Sequence, residues 1–552
     1  MSENQQLQRD FGVMSTDPLS NQKPTGTRHL YVPPMSAIRT STSANPDRDD
    51  SAPDTDIFHA EPRQHLPVPF SGKKSQFAVH ERLPHDLHHC IGLTLSLEGK
   101  AYAVVSKNGN PYVLRIGSTA LNALIMKRAY KAGLPLKNAD LAEINTHLES
   151  SAVLHGVTAA IWLRVAPIDG GIEIDVGDDT HARIRITAGK VDIVRSGSEV
   201  LFHRVSTTLP MAMPAPTGNW RLIEKYLNAD RTDKLLLVAW ISFVLAHPKV
   251  ASTKFPILVL QGNEGSGKTS LCQNVIIRII DPSVIGVQTF PTNEKDLAIA
   301  GLNAHVLCYD NLRCFKRHMA DMLCIASTGG VITTRRLYTD ADQQAIRLHV
   351  ALVLNGIHQF IDQPDLAQRC LPIQLKKIEG PDRRSEQDFI SEFEADLPAI
   401  MRGLLDLIAA IFAHLPEVEV TDHERMIDFV KWLGAMEKAD GVPKGIYQGL
   451  YSHTLQQGQL DALMNNPLAA AIIEFTDRRT EKSWSGTPSE LLQTLLQFAR
   501  MGTPRSGEWP QNPIALSKRI ASLQVGLLTQ GIKIELTRGK HRLISIVKLG
   551  GN

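Results

Sequence analysis

The sequence predicts an α/β fold built on a parallel sheet. Three observations predict it: an apolar strand-like run leads into a glycine-rich loop, a helical stretch follows that loop, and later apolar runs end in Asp310 and Asn355. Near-continuous apolar strands belong in a parallel sheet, because βαβ crossovers cover both of its faces with helices.

The chain has 552 residues, enough for about three or four domains. Residues 1–75 are rich in Ser, Pro, Asn, Gln, Thr and Asp and carry little apolar periodicity. Such a segment cannot bury enough apolar surface to offset its ordering entropy, so a disordered tail is expected. Residues 76–215 read as a small α+β domain. Ile91–Leu97, Ala101–Val105 and Pro111–Ile116 alternate like strands, helical stretches cover 118–132 and 139–155, and a second strand group includes 159–165, 171–176, 182–187 and 190–194. Pro210, Pro214 and Pro216 mark the linker that follows.

Residues 216–380 form the expected core. A helical lead-in over 218–250 precedes Phe255-Pro256-Ile257-Leu258-Val259-Leu260, and the loop Gly262-Asn263-Glu264-Gly265-Ser266-Gly267-Lys268-Thr269 comes next. Glycines at this spacing let successive backbone N–H groups wrap a phosphate at a helix N-terminus, where the dipole also favours negative charge. Lys268 is placed to meet β/γ-phosphates and Thr269 to offer its hydroxyl to Mg2+, with Ser270 beside them in the helix that Asp281-Pro282 stops. The pattern implies a bound nucleoside triphosphate.

The run 302–311 places Asp310 where a magnesium site opposite the loop needs a carboxylate. The run 347–355 puts Asn355 at the same sheet edge, suited to holding an attacking water or sensing the γ-phosphate. Between them, 326–339 reads as a strand and hairpin, with Arg335 and Arg336 at its tip or edge. Basic side chains there would track nucleic-acid phosphates without reading sequence, or else pair with Asp340 and Asp342 in solvent. Arg369 closes a short helix before another strand, a position from which a guanidinium can stabilise phosphoryl-transfer charge on a neighbouring subunit.

Residues 381–465 read as a helical domain, with 397–415 strongly amphipathic. Residues 466–552 read as a winged-helix domain. The helix 513–523 carries Lys518 and Arg519, and the hairpin 532–546 turns through Arg538, Lys540 and Arg542, which are the expected DNA phosphate contacts.

Net charge is +2 and the pI about 8.1, so overall charge neither demands nor excludes nucleic acid. Six cysteines show no C-x-x-C pair and no zinc spacing, and read as reduced, mostly buried thiols. No charged-then-apolar segment opens the chain, and the apolar stretch 235–246 is too short to span a bilayer. The expectation is a cytoplasmic protein with no membrane partner.

This order of motifs resembles the superfamily 3 and poxvirus-type primase-helicase ATPases of phages, plasmids and integrative elements. The layout matches over about 90–550, with the specific motifs confined to 255–375. The resemblance implies a P-loop NTPase (AAA+-like) core. Gly262–Thr269 is then the Walker A loop, Asp310 the Walker B acid, 328–338 the hairpin region, Asn355 the sensor and Arg369 the arginine finger. It departs at Asn311, where these ATPases often carry a second acid, so the identity of the water-activating base is open, and Asn311 is a candidate for helping to place the water. The resemblance implies an ATP-driven helicase or translocase on single-stranded or forked DNA, a homo-oligomeric ring, a hexamer, with ATP and Mg2+ at subunit interfaces. No primase activity is expected of this chain, and a separate primase is an expected partner. Two readings compete: a P-loop ATPase switch in anti-phage defence or plasmid maintenance, and a DNA-binding replication initiator in which nucleotide only drives assembly.

Overall fold

The computed structural model describes residues 92–549 apart from 314, 336–342, 357–359, 362, 381–382, 421–424, 500–508 and 538–541. The expected tail, residues 1–75, lies outside the described residues. The chain divides into two compact units, Met1–Pro210 with Asp440–Val442, and Met211–Ala439 with Pro443–Asn552.

The first unit begins with β1 (Gly92–Leu95), β2 (Ala101–Lys107), β3 (Asn110–Arg115), α1 (Thr119–Lys131), α2 (Asn138–His155) and β4 (Val157–Thr158). It continues with β5 (Val165–Ile168), β6 (Gly171–Asp175), β7 (Arg183–Thr187), β8 (Lys190–Val194) and β9 (Phe202–His203). A five-stranded sheet, β4-β1-β2-β3-β9, stands beside an antiparallel meander, β5-β6-β7-β8. Ser118 caps α1 by accepting the N–H of Leu121. Leu121, Ile125, Leu141, Ile144 and Leu148 of the two helices bury against Ala103, Val105 and Leu114. The strand expected over 159–165 does not form; Val157–Thr158 and Val165–Ile168 flank an irregular stretch instead. Within the meander, Asp175 is ringed by Arg183 and Arg204, and Glu173 by Arg185 and Ser198. Burial alone would raise the Asp175 carboxyl, but these guanidinium groups outweigh it and hold it below its usual range.

The second unit opens with a 3-10 turn (Trp220–Tyr226) and α3 (Arg231–Ala246), capped by Asp230. From Leu236 to Ala246 every side chain of α3 is buried, which explains its all-round apolarity. Next come β10 (Ile257–Gln261), the helical segments α4 (Lys268–Ser270) and α5 (Ile277–Ile280) joined by a π-helical stretch (Leu271–Ile276), β11 (Gln288–Thr289), α6 (Glu294–Leu302), β12 (Val306–Leu312) and α7 (Arg317–Thr328). They are followed by β13 (Gly330–Arg335), β14 (Gln343–Leu348), β15 (Ala351–Gly356), α8 (Pro364–Ala367) and β16 (Cys370–Gln374). The parallel sheet has the order β11-β12-β15-β10-β16. Ile257, Val259, Leu307, Leu352 and Leu354 share its main core with α7 residues Met319, Met322 and Leu323.

Two expectations are corrected in this core. Residues 326–328 end helix α7 rather than begin a strand, and the run 347–355 is split between β14, which pairs antiparallel with β13, and β15, which enters the parallel sheet.

Helices α9 (Glu386–His414), α10 (Ile427–Ala439) and α11 (Ile446–Asn465) follow. By length and composition α9 could cross a membrane. Its residues Leu397, Ile400, Leu404, Ile408 and Ile411 are fully buried, and it packs against α3 and α10. The chain ends in α12 (Pro467–Asp477), β17 (Ser483–Gly486), α13 (Pro488–Leu495), α14 (Pro513–Thr529), β18 (Ile532–Thr537) and β19 (Leu543–Lys548). The three strands form the antiparallel order β17-β19-β18 over a core of Leu468, Ile472, Leu491, Leu516, Ile520, Ile534 and Ile546. The described cysteines Cys272, Cys308, Cys324 and Cys370 are free and buried.

Candidate nucleotide-binding site

Strand β10 sits between β15 and β16 with Ile257 to Leu260 buried, so it aims the chain rigidly at Gly262. A Cβ at Gly262 would lie 2.8 Å from Ser266 Oγ and 2.9 Å from the Leu375 carbonyl oxygen, too close for any side chain. Gly267 has φ +80° at the turn into α4, a conformation that costs an L side chain energy. Glycine is therefore demanded on both sides of the loop. Lys268 folds back and donates from Nζ to the carbonyls of Gly262 (2.6 Å) and Asn263 (3.0 Å) and to Ser266 Oγ (3.1 Å). Burial lowers its pKa from the ordinary lysine value.

Beyond the loop, Leu271, Cys272, Val275 and Ile276 bury the π-helical stretch against the core. Thr269 donates from Oγ1 to Asp310 Oδ2 across 2.6 Å. Asp310 lies at a register irregularity of β12, and Asn311 beside it takes φ +58°. The N–H of Asn311 donates to Asp310 Oδ1 at 2.6 Å, so both oxygens of the carboxylate are held. Ser270 Oγ accepts from Asn274 Nδ2 at 3.0 Å. Asn263, Glu264 and Gly265 form the exposed outer part of the loop.

Asn355 pairs in register with Leu260 on β15, the strand between β10 and β12. Its side chain is fully buried, and neither amide atom has a hydrogen-bond partner among the described residues. Such an amide leaves unmet hydrogen-bonding capacity at the edge where Thr269 and Asp310 meet. One sheet edge thus gathers Lys268, Thr269, Asp310, Asn311 and Asn355.

Arg369 does not join them. Its carbonyl accepts the N–H of Ile257, at the start of β10, whereas the loop follows the end of that strand. A five-residue strand separates the two, roughly 16 Å. The Arg369 side chain is 12% exposed and approaches Asp365 Oδ2 at 3.4 Å, while Asp365 also binds Arg425. Burial alone would raise the Asp365 carboxyl, but the two guanidinium groups hold it below its usual range.

Of the expected DNA contacts, Lys518 and Arg542 are exposed and Arg519 is half-buried. Arg335 ends β13, but its side chain, like all of Arg336, Arg538 and Lys540, lies outside the described residues.

Three residues near the loop carry no signal in the sequence. Asn228 donates from Nδ2 to the Ser266 carbonyl at 3.2 Å and to that of Lys376, tying the loop to the segment after β16. The N–H of Ile378 donates to the Gly265 carbonyl at 3.3 Å, and Arg383 lies further along the same segment. Only long-range folding brings them there.

Residues 221–450 match the family model of the actinomycete integrative conjugative element replication protein, and residues 468–551 match that of the AICE RepA C-terminal domain. The chain is similar to replication proteins of integrative conjugative elements. No curated protein matches it. Among solved structures, the apo C-terminal region of NrS-1 is 10% identical, covers 87% of this chain and 100% of its own, and has a TM-score of 0.36. SCCmec type IV Cch, described as an active helicase, is 9% identical, with 84% and 93% covered and a TM-score of 0.43.

Proposed function

We propose that this chain is an ATP-hydrolysing DNA helicase or translocase that acts in replication of an integrative element, assembled as a ring with ATP between subunits. One observation carries the reading: the Thr269 hydroxyl and the Asp310 carboxylate meet at 2.6 Å beside the loop. Two hard oxygen donors of this kind suit Mg2+, which when bound supplies charge compensation for β- and γ-phosphate oxygens. Lys268 would exchange the carbonyls it now caps for phosphate oxygens, and the loop N–H groups from Asn263 to Thr269 would line the rest of the site. Asn355 would spend its unmet amide on the γ-phosphate or the attacking water. Arg369, held at the far edge of the sheet, is suited to serve a neighbouring subunit's site rather than its own.

The match to an integrative-element replication protein supports the biological setting. A DNA-facing role for residues 467–548 is supported by their element order: helix, strand, two helices, then two strands, the layout of a winged helix. The deciding experiment measures ATP hydrolysis with and without single-stranded DNA, alongside unwinding of a forked duplex. Stimulated hydrolysis with unwinding is expected. Hydrolysis indifferent to DNA would favour a protein-remodelling switch, and nucleotide binding without turnover would favour an initiator that only assembles on nucleotide.

A further inference from the structure

After β16 the chain does not leave the loop but runs along its rim. Leu375 bridges to Ala229, and Lys376 donates its N–H to the Asn228 carbonyl at 2.9 Å. Ile378 then bonds Gly265, and its Cδ1 lies 3.3 Å from where a Cβ would stand on Gly267. Five residues on, Arg383 Nη2 lies 3.3 Å from the corresponding point on Gly265. Ile378 and Arg383 thus both stand against the glycine face of the loop.

Several cations beside this segment are neutralised, while Lys376 and Lys377 on it are exposed but do not approach the loop glycines as Arg383 does. Lys225 pairs with Glu392 at 2.6 Å and Asp396 at 3.1 Å, Arg278 with Glu394 at 2.6 Å, and Arg384 with Glu392. All these acids belong to α9. Arg383 is exposed, and its guanidinium has no carboxylate partner among the described residues. A planar guanidinium can grip phosphate through two parallel N–H donors, and it stays charged at any working pH. Gly265 has no side chain to block its approach.

We propose that Arg383 is a phosphate-binding residue of its own chain's nucleotide site, recognising the terminal phosphates of a nucleoside triphosphate from the loop rim. The proposal rests on the reading of Gly262–Thr269 as that site. It separates Arg383 from Lys268, which sits inside the loop, and from Arg369, which lies at the opposite sheet edge.

The test is equilibrium titration of a fluorescent ATP analogue and its AMP counterpart, with Mg2+, into the full chain. Wild type, Arg383→Ala, Arg383→Lys, Arg384→Ala and Lys268→Ala are compared. Arg383→Ala should weaken ATP binding about tenfold, the loss of a charge-assisted contact, and change AMP binding much less. Arg383→Lys should recover part of the loss, and Arg384→Ala should bind as wild type, because that arginine is engaged with Glu392. Thermal melting verifies folding, with Arg383→Gln as the substitute should the alanine variant melt early. If Arg383→Ala and wild type bind ATP alike while Lys268→Ala does not, the Arg383 proposal fails and the loop reading stands. If wild type does not bind ATP, or Lys268→Ala binds it equally well, both fall.

Discussion

Thr269 and Asp310 are hydrogen-bonded at 2.6 Å although β12 is not the neighbour of β10; strand β15 lies between them. The contact therefore bridges a whole strand, at the sheet edge where Asn355 is the penultimate residue of β15. If Mg2+ binds there, Asp310 has a chemical task rather than a capping one. Asp310→Asn keeps the shape and the acceptor but removes the charge that would face Mg2+. Turnover should fall by about 100-fold or more, a typical cost of losing an electrostatic stabiliser. Nucleotide binding should largely survive. Phosphate release measured across magnesium concentrations checks this, and near-normal turnover would remove Asp310 from the mechanism.

Asn311 stands where the ATPases that the sequence resembles often carry a second acid, and it holds φ +58°. Asparagine is one of the few side chains that visits this region readily, and a β-branched residue there is strained. Asn311→Gly should leave the thermal midpoint nearly unchanged. Asn311→Val should cost about 1–2 kcal/mol. Equal melting of both variants would show that the backbone relaxes. If the Asn311 amide also helps place water, the glycine variant will fold normally yet turn over more slowly.

Asp233, in the first turn of α3, is 9% exposed and accepts the N–H of Gln374 at 2.9 Å. Burial raises its carboxyl from 3.8 to about 6. The folded protein then holds this proton more tightly than the unfolded chain, so the contribution is full below about pH 4 and is lost as pH rises through about 6. Asp233→Asn ends that dependence. Relative to wild type, the variant should gain about 3 kcal/mol between pH 4 and 7, read by denaturant unfolding at each pH. A difference that stays flat across this range would mean that Asp233 does not titrate there.

The parts of the core legible in the sequence were those whose determinants are local. The loop pattern, the apolar run before it and the acid at the end of β12 each need only a few consecutive residues. The β14–β15 boundary is not legible, because the two turn residues, His349 and Val350, include no Gly, Pro, Asn or Asp to mark a turn. The end of helix α7 is masked in the sequence for a different reason. Its last residues, Ser327 and Thr328, are β-favouring or neutral, but their hydroxyls bond the Cys324 carbonyl and so satisfy themselves within the helix. Asn228, Ile378 and Arg383 reach the loop only through tertiary folding, so no window of sequence could place them there.

For DNA, the testable quantity is the salt dependence of binding. Lys518 and Arg542 are exposed, and Lys518 lies on α14, which carries no acidic residue of its own. Replacing Lys518, Arg519 and Arg542 by alanine should weaken binding and lower the slope of log affinity against log salt by up to about one per lost phosphate contact. Replacing Arg335 and Arg336 together should instead depress DNA-stimulated hydrolysis while sparing the basal rate. An unchanged slope in the first variant would reassign the C-terminal elements to protein contacts.

Arg369 gives the sharpest test of assembly. In the isolated chain it is tied to Asp365, which also holds Arg425, and it lies a strand's length from its own loop. If it acts on a neighbour, Arg369→Ala and Lys268→Ala chains should each be nearly inactive. Mixed rings should recover part of the activity, because some interfaces then join an intact loop to an intact arginine. If Asp365 serves only to hold the arginines when no phosphate is present, Asp365→Ala should fold and retain hydrolysis. ATPase activity is measured across mixing ratios, with ring composition followed by mass. Mixed rings without recovered activity would place Arg369 within its own subunit or require all sites to fire together, and a monomer hydrolysing ATP at full rate would end the ring mechanism.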